Sequence, residues 1–177
     1  MDTEGLIMVN TGDGKGKTTA ALGLAARAWG DGLRVLILQF IKGAWKYGEL
    51  ETFARLGKID GRIEIRPLGL GLMGRDDERS RHIAAAKNAL KIAEAAIVSD
   101  KYDLVILDEI NYAIKFGLLA IGDVMSLLDK KPATLHVMLT GRDAHPELIE
   151  KADLVTEMTL IKHPFQHGIR AQKGIEF

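Results

Sequence analysis

Residues 11–19 read TGDGKGKTT and stand between an apolar run and an alanine-rich stretch. This order predicts a strand, a glycine-rich turn and a helix, the arrangement in which a P-loop surrounds phosphate with backbone N–H groups. Gly16, Lys17 and Thr18 fill the last three positions of the pattern GxxxxGK[ST], while Thr11 stands at its first position in place of glycine. An ordinary tight turn is the competing interpretation, and the flanking strand and helix favour the phosphate site.

The composition limits the possible classes of function. With 177 residues, of which 47% are apolar, the chain is expected to form a single domain over residues 1–177. Lysine plus arginine and aspartate plus glutamate each total 24, so no net charge attracts nucleic acid or an anionic membrane. The absence of cysteine excludes disulfides and thiolate metal sites. Without a signal-peptide pattern or an apolar run of membrane-spanning length, we expect a cytoplasmic protein with no membrane partner.

Strand and helix patterns alternate along the chain. After the first strand, we expect strands at residues 35–40, 62–66, 103–107, 134–139 and 154–160, with 62–66 near a sheet edge because its charged and apolar residues alternate. We expect helices at residues 16–29, 50–56, 118–129 and 146–151, and the longest helix where apolar residues recur from Ile83 to Ile97. The alternation predicts an α/β fold of the P-loop NTPase (RecA-like) type, a mostly parallel sheet of about six strands with helices on both faces.

An acidic pair, Asp108 and Glu109, directly follows four aliphatic residues of a predicted strand. Because parallel strands bring their carboxyl ends to one edge of the sheet, this pair is expected beside the P-loop, where carboxylates hold Mg²⁺ directly or through water. The alternative is an ordinary strand end that binds no metal. Asn111 and Tyr112 come just after the pair and are expected to face the same cleft.

Three further segments are expected at the same edge of the sheet. The loop with Lys42 and Trp45 is either a substrate surface or a solvated connector. The glycine-rich apolar loop with Leu70 and Leu72 is either a binding surface or an extension of the core. Arg142, after the fifth strand, either contacts phosphate or belongs to a surface turn.

The five histidines are not spaced as a zinc site. His163 and His167, which lie near Lys162 and Arg170, are the two that we connect with an anionic ligand.

Several separated segments together resemble the P-loop type of ATP:corrinoid adenosyltransferase. They are residues 11–21, 39–43 with Trp45 and 48–49, 107–112, 139–142, and 162–165 with Gly168 and 171–176. The similarity runs from the first strand to the last residue. It implies that Co(I) of a reduced corrinoid attacks the 5′ carbon of ATP and that triphosphate leaves. No phosphoryl group moves in this reaction, and no protein base is needed because Co(I) is itself the nucleophile.

The resemblance also implies roles for individual residues, all of them at the P-loop, the acidic pair or the loops around them. Lys17, Thr18 and Glu109 are the candidate catalytic residues, and Thr18, Asp108 and Glu109 are the candidate Mg²⁺ ligands. Candidates for binding ATP or corrinoid are Gly12, Asp13, Gly14, Lys15, Gly16, Lys17, Thr18, Thr19, Arg27, Arg142, Lys42, Trp45, Leu70, Leu72 and His163. The family further implies a homodimer and a reductase or other electron donor that supplies Co(I).

One loop departs from the family. Its corrinoid loop often carries a Phe and a Trp that displace the lower axial ligand of cobalt, whereas Leu70 and Leu72 stand at the matching positions here. Either the leucines exclude that ligand by bulk, or the substrate lacks a bulky lower base, or the loops correspond differently.

Two other classes of protein share the phosphate site. A P-loop small-molecule kinase or ATPase would use the same loop and acidic pair, although the cysteine-based zinc ribbon of one group of nucleoside kinases is absent. A RecA-like module acting on nucleic acid is disfavoured by the balanced charge.

Overall fold

Six parallel strands form one sheet in the computed structural model, which describes residues 4–43, 47–71 and 79–176. They are β1 (Ile7–Thr11), β2 (Val35–Gln39), β3 (Ile63–Pro67), β4 (Leu104–Asp108), β5 (His136–Thr140) and β6 (Leu154–Glu157). Their order is β3-β2-β4-β5-β1-β6, and every pairing is parallel. The predicted sheet is confirmed, and so is the position of residues 62–66 at one of its edges.

The helices follow the strands in sequence. They are α1 (Lys17–Gly30), α2 (Gly48–Asp60), α3 (Arg79–Ile97), α4 (Ile110–Lys115), α5 (Ile121–Asp129) and α6 (Pro146–Lys151), and a 3₁₀ helix covers Pro164–His167. Within the described ranges, no helix has both the length and the apolar character needed to cross a membrane.

Several predicted boundaries were wrong. Helix α2 continues past residue 56 to Asp60. A Cβ at Gly57 would lie 2.5 Å from the carbonyl oxygen of Ile63, so glycine at this position lets α2 approach β3. Helix α5 begins at Ile121, three residues later than expected, and residues 110–115 form a separate helix, α4, that was not predicted. The sixth strand ends at Glu157, and the 3₁₀ helix in the tail was not predicted.

The core lies on both faces of the sheet. Alternate residues of the fully buried strands β2 and β4 point to opposite faces. Val35 and Ile37 pack with the alanines of α1 and with Phe53 of α2, while Leu36 and Leu38 pack with residues of α3 and α5. Each such side chain contributes about 1.5–3 kcal/mol when fully buried. The prediction of helices on both faces is therefore confirmed.

Strand order decides which loops meet at the carboxyl edge of the sheet. Strand β5 lies between β1, which leads into the P-loop, and β4, which ends at Asp108. On the other side of β4, the register of β2 places Gln39 beside Asp108. The ends of β1, β5, β4 and β2 thus form one continuous row.

Candidate functional site

Three glycines shape the loop between β1 and α1. Gly12 and Gly16 have φ angles of 90° and 110°, a conformation that residues with a Cβ rarely adopt. A Cβ at Gly14 would lie 2.7 Å from the carbonyl oxygen of Met158, to which the Gly14 N–H donates a hydrogen bond of 2.6 Å. The predicted order of strand, glycine-rich turn and helix is confirmed, and the loop rests against the chain that follows β6.

Thr11, at the position where the P-loop pattern has glycine, connects two loops. Its side chain is buried, and its Oγ1 accepts a hydrogen bond of 3.0 Å from the backbone N–H of Ala144. Ala144 lies just before α6, in the segment that follows β5. The hydroxyl therefore holds the start of the P-loop against that segment, a contact that glycine could not make.

Lys17 folds back across its own loop. Its Nζ donates to the carbonyl oxygens of Gly12 and Gly14, at 2.6 Å each. Burial lowers the pKa of Lys17, and the positive charge of Arg142 lowers it further. The ammonium group thus sits at a position where a negatively charged ligand would stabilise it.

Asp108 lies behind the P-loop and is fully buried. Its Oδ1 accepts hydrogen bonds from the hydroxyls of Thr18 and Thr140, at 2.8 and 2.7 Å. Its Oδ2 accepts one of 3.0 Å from Nε2 of Gln39. Any effect of Asp108 on a bound ligand would therefore act through the groups that donate to its carboxylate.

Glu109 has a different environment from its neighbour. Its backbone is left-handed, with φ 62° and ψ 19°, and its N–H donates to Oγ1 of Thr140 at 2.8 Å. Its Oε2 is buried and has no hydrogen-bond partner in the part of the chain that the structure describes. Burial, together with the negative charge of Asp108, raises the pKa of Glu109 to about 7. This is the one side chain of the acidic pair that lines the cavity.

A cavity of about 720 Å³ lies between the P-loop, α2, α4 and the C-terminal tail. It brings together most of the predicted site residues, namely Asp13, Gly14, Lys15, Gly16, Lys17, Thr18, Thr19, Lys42, Glu109 and Arg142. Tyr112 also lines it, as predicted. Asn111 does not, so that prediction was wrong: its side chain is fully buried and donates to the carbonyl oxygen of Gly141 at 3.1 Å.

Some predicted site residues within the described ranges do not line this cavity. Arg27 is exposed in the last turn of α1, about 15 Å along the helix from Lys17 at 1.5 Å per residue. Leu70 is 47% exposed and does not line the cavity. His163 caps the 3₁₀ helix, its Nδ1 accepting from the N–H of Phe165 at 3.1 Å. Trp45 and Leu72 are outside the described residues. The roles assigned to these residues stay predictions.

Two glutamates that line the cavity, Glu49 and Glu176, were not among the predicted site residues. On α2, Glu49 accepts a hydrogen bond of 2.9 Å from Nζ of Lys42, which also lies 5.0 Å from the centre of the Tyr47 ring. Burial opposes the charge of Lys42, but Asp108 and Glu49 outweigh it and raise the pKa of Lys42. In the tail, Glu176 lies 2.9 Å from Nζ of Lys15. Both residues stand in segments that resemble the family, but the sequence offered no reason to assign either a role in the site, because charged residues are common on any surface.

The parallel sheet, the glycine loop before α1 and the acidic pair after β4 define a P-loop NTPase-like protein. The fold resembles the flagellar accessory protein FlaH of Methanocaldococcus jannaschii with a TM-score of 0.62 and 12% identity, covering 88% of this chain and 71% of that one. It also resembles a KaiC-like protein of Pyrococcus horikoshii with a TM-score of 0.51 and 18% identity, covering 90% and 75%. These similarities confirm the predicted fold class.

Sequence similarity narrows the class to a family. The family described as ATP:corrinoid adenosyltransferase BtuR/CobO/CobP matches residues 3–177. The chain is 43% identical to the corrinoid adenosyltransferase of Pseudomonas aeruginosa over 99% of its own length and 85% of that protein. For the corrinoid adenosyltransferase of Escherichia coli K12, the identity is 36% over 99% and 87%. The chain belongs to the ATP:corrinoid adenosyltransferase family, as the resemblance of its motifs predicted.

Proposed function

We propose that this chain transfers the 5′-deoxyadenosyl group of ATP to Co(I) of a reduced corrinoid. Co(I) provides both electrons of the new cobalt–carbon bond. The bond between the 5′ carbon and its oxygen breaks, and triphosphate leaves with the electron pair of that broken bond. The observation that carries the proposal is that Lys17, Thr18 and Glu109 line one cavity in a chain that matches the family over residues 3–177.

The P-loop would hold the leaving triphosphate. Lys17 now donates to two carbonyl oxygens, and phosphate oxygens would replace these neutral acceptors with charged ones. Hydrogen bonds to charged groups contribute about 1.5–3 kcal/mol each. Arg142 also lines the cavity, with its Nε 3.6 Å from Oδ1 of Asp13, and would pair with the phosphates of the ligand. These cations would stabilise the charge that develops on triphosphate as it departs.

The residues beside the P-loop fit a Mg²⁺ ion. Among the residues that the structure describes, no three His, Cys, Asp or Glu side chains gather into a metal site, which is consistent with an ion held partly by phosphate oxygens. The Thr18 hydroxyl donates to Asp108, so its lone pairs remain for a cation, and Oε2 of Glu109 is buried with no hydrogen-bond partner among residues 4–43, 47–71 and 79–176. Thr18 and Glu109 would hold the ion, with Asp108 acting through Thr18. When bound, the ion supplies positive charge to the triphosphate.

The corrinoid would approach from the side of Lys42. The segment that carries Leu70 is joined to the end of β2 by backbone hydrogen bonds, with the Gly69 N–H donating to the oxygen of Lys42 at 3.1 Å and the Gly71 N–H donating to that of Ile41 at 2.8 Å. Leu70 is exposed next to this junction, while the side chain of Lys42 lines the cavity. We assign Leu70, together with Trp45 and Leu72, to the corrinoid surface.

Several broader features belong to the same proposal. The chain would act as a single domain in the cytoplasm, receive Co(I) from a reductase or other electron donor, and bind no nucleic acid. A homodimer is supported by the exposed apolar side chains along β6 and the tail, namely Leu154, Val155, Ile161, Phe165, Ile169 and Ile175. Light scattering during gel filtration measures the mass, and a monomer at micromolar concentration would contradict this part.

Product analysis tests the reaction itself. The protein is incubated with ATP, Mg²⁺ and chemically reduced cobalamin, with parallel samples that lack the reductant or contain EDTA. We expect the absorbance of a light-sensitive alkyl-cobalt compound and one triphosphate for each cobalt adenosylated. Release of ADP or inorganic phosphate in place of triphosphate would overturn the proposal, and ADP formation that depends on an added acceptor would identify a small-molecule kinase.

A further inference from the structure

The buried carboxylate of Asp108 is held from three sides by neutral donors. Thr18 of α1 and Thr140 at the end of β5 donate to Oδ1, and Gln39 at the end of β2 donates to Oδ2. Because both oxygens are bonded, the carboxylate has one orientation. Thr140 and Gln39 are themselves fully buried, so neither can contact a ligand in the cavity directly.

The Thr140 hydroxyl has a defined direction. A hydroxyl has one proton and two acceptor positions. Oγ1 of Thr140 accepts from the N–H of Glu109 at 2.8 Å, so its own proton goes to Asp108, 2.7 Å away. One hydroxyl therefore connects the backbone of Glu109 to the side chain of Asp108.

This connection acts on a strained residue. Glu109 has a positive φ of 62°, a backbone conformation that is strained for a residue other than glycine. Glu109 is also the first residue after β4, so a change in its backbone would redirect its carboxylate. The hydrogen bond from its N–H to Thr140 helps to hold this conformation.

We propose that Thr140 is a positioning residue for the nucleotide and Mg²⁺ site. Through Asp108 it sets the direction of the Thr18 hydroxyl, and through the N–H of Glu109 it keeps the Glu109 carboxylate on the cavity wall. Gln39 assists by holding the second oxygen of Asp108. The inference rests on the proposed function of this site, and it assigns a role to a residue that touches neither substrate nor metal.

The test compares variants that differ in the hydroxyl. Thr140→Val removes it at nearly constant shape, Thr140→Ser keeps it, and Thr134→Val makes the same change at an exposed threonine before β5. Binding of a fluorescent ATP analogue is measured against Mg²⁺ concentration and in EDTA, and kcat and KM are measured for adenosylation.

We expect Thr140→Val to raise the Mg²⁺ concentration for half-maximal nucleotide binding about 10- to 100-fold, the usual effect of losing a group that orients metal ligands. It should lower kcat more than it changes KM for ATP, and binding in EDTA should stay as in the wild type. Thr140→Ser and Thr134→Val should both behave as the wild type.

Two results would overturn the inference: an unchanged Mg²⁺ dependence in Thr140→Val, or an equal loss in Thr140→Ser, which would assign the effect to packing. If circular dichroism shows that Thr140→Val does not fold, Thr140→Ala carries the same expectation. If the wild type makes ADP in place of triphosphate, the proposed reaction fails, but the Mg²⁺ dependence of nucleotide binding still decides the role of Thr140.

Discussion

Replacing Lys17 with alanine tests whether its ammonium group serves a ligand or the fold. In the free protein, Nζ donates to the carbonyl oxygens of Gly12 and Gly14, both in its own loop, at 2.6 Å each. With triphosphate bound, the same group would donate to charged oxygens, and losing one such bond costs about 1.5–3 kcal/mol. We therefore expect Lys17→Ala to raise the Kd for ATP roughly 10- to 150-fold.

The assay separates binding from folding. Isothermal titration calorimetry measures the affinity, and circular dichroism measures the melting temperature, which should change by no more than about 4 °C because Lys17 is not part of the core. The matched control is Lys91→Ala, which removes the same charge from the exposed surface of α3. An unfolded Lys17→Ala, or one that binds ATP as tightly as the Lys91→Ala control, would refute the reasoning.

Further predictions concern stability. Because the folded protein raises the pKa of Glu109 from 4.5 to about 7, its proton is bound more tightly in the native state. Without Mg²⁺ or nucleotide, the contribution of Glu109 to stability should therefore be fully present below about pH 4.5 and fall by up to about 3 kcal/mol as the pH rises through 7. Glu109→Gln should abolish that decline in urea unfolding, and an equal decline in both proteins would contradict the assignment. Gly23→Ala should stabilise α1 by about 0.5–1 kcal/mol, since a Cβ there meets no atom of the described residues within 4 Å. Gly69→Ala should destabilise the protein by about 1–3 kcal/mol, since its Cβ would lie 2.2 Å from the oxygen of Ile41. Thermal denaturation compares these two variants, and shifts of the same sign would show that the local space is misjudged.

Local pattern was sufficient where a residue's conformation depends on its neighbours in sequence. The P-loop glycines and the apolar strand that ends at Asp108 could be recognised because each needs a particular backbone or a buried environment. Patterns failed where packing outweighs propensity. The helix expected at residues 50–56 continues through Gly57 to Asp60, and the missing Cβ at Gly57 leaves room for the carbonyl oxygen of Ile63 in β3. Asn111 was expected to face the cleft because it follows the acidic pair, yet α4 directs its side chain to the carbonyl oxygen of Gly141.

The sequence by itself determined the parallel sheet, the phosphate loop and the resemblance that the family match confirmed, because each depends on patterns that can be read within short segments. Only the tertiary structure decided how the acidic pair is used. Gln39, Thr18 and Thr140 are 69, 90 and 32 positions from Asp108. They meet its carboxylate because β2 and β5 flank β4, and because β1, which leads into α1, lies beside β5. Strand order is not encoded in any local period. Tertiary packing therefore gives two adjacent carboxylates different environments: Asp108 is fully bonded behind the P-loop, and Glu109 lines the cavity.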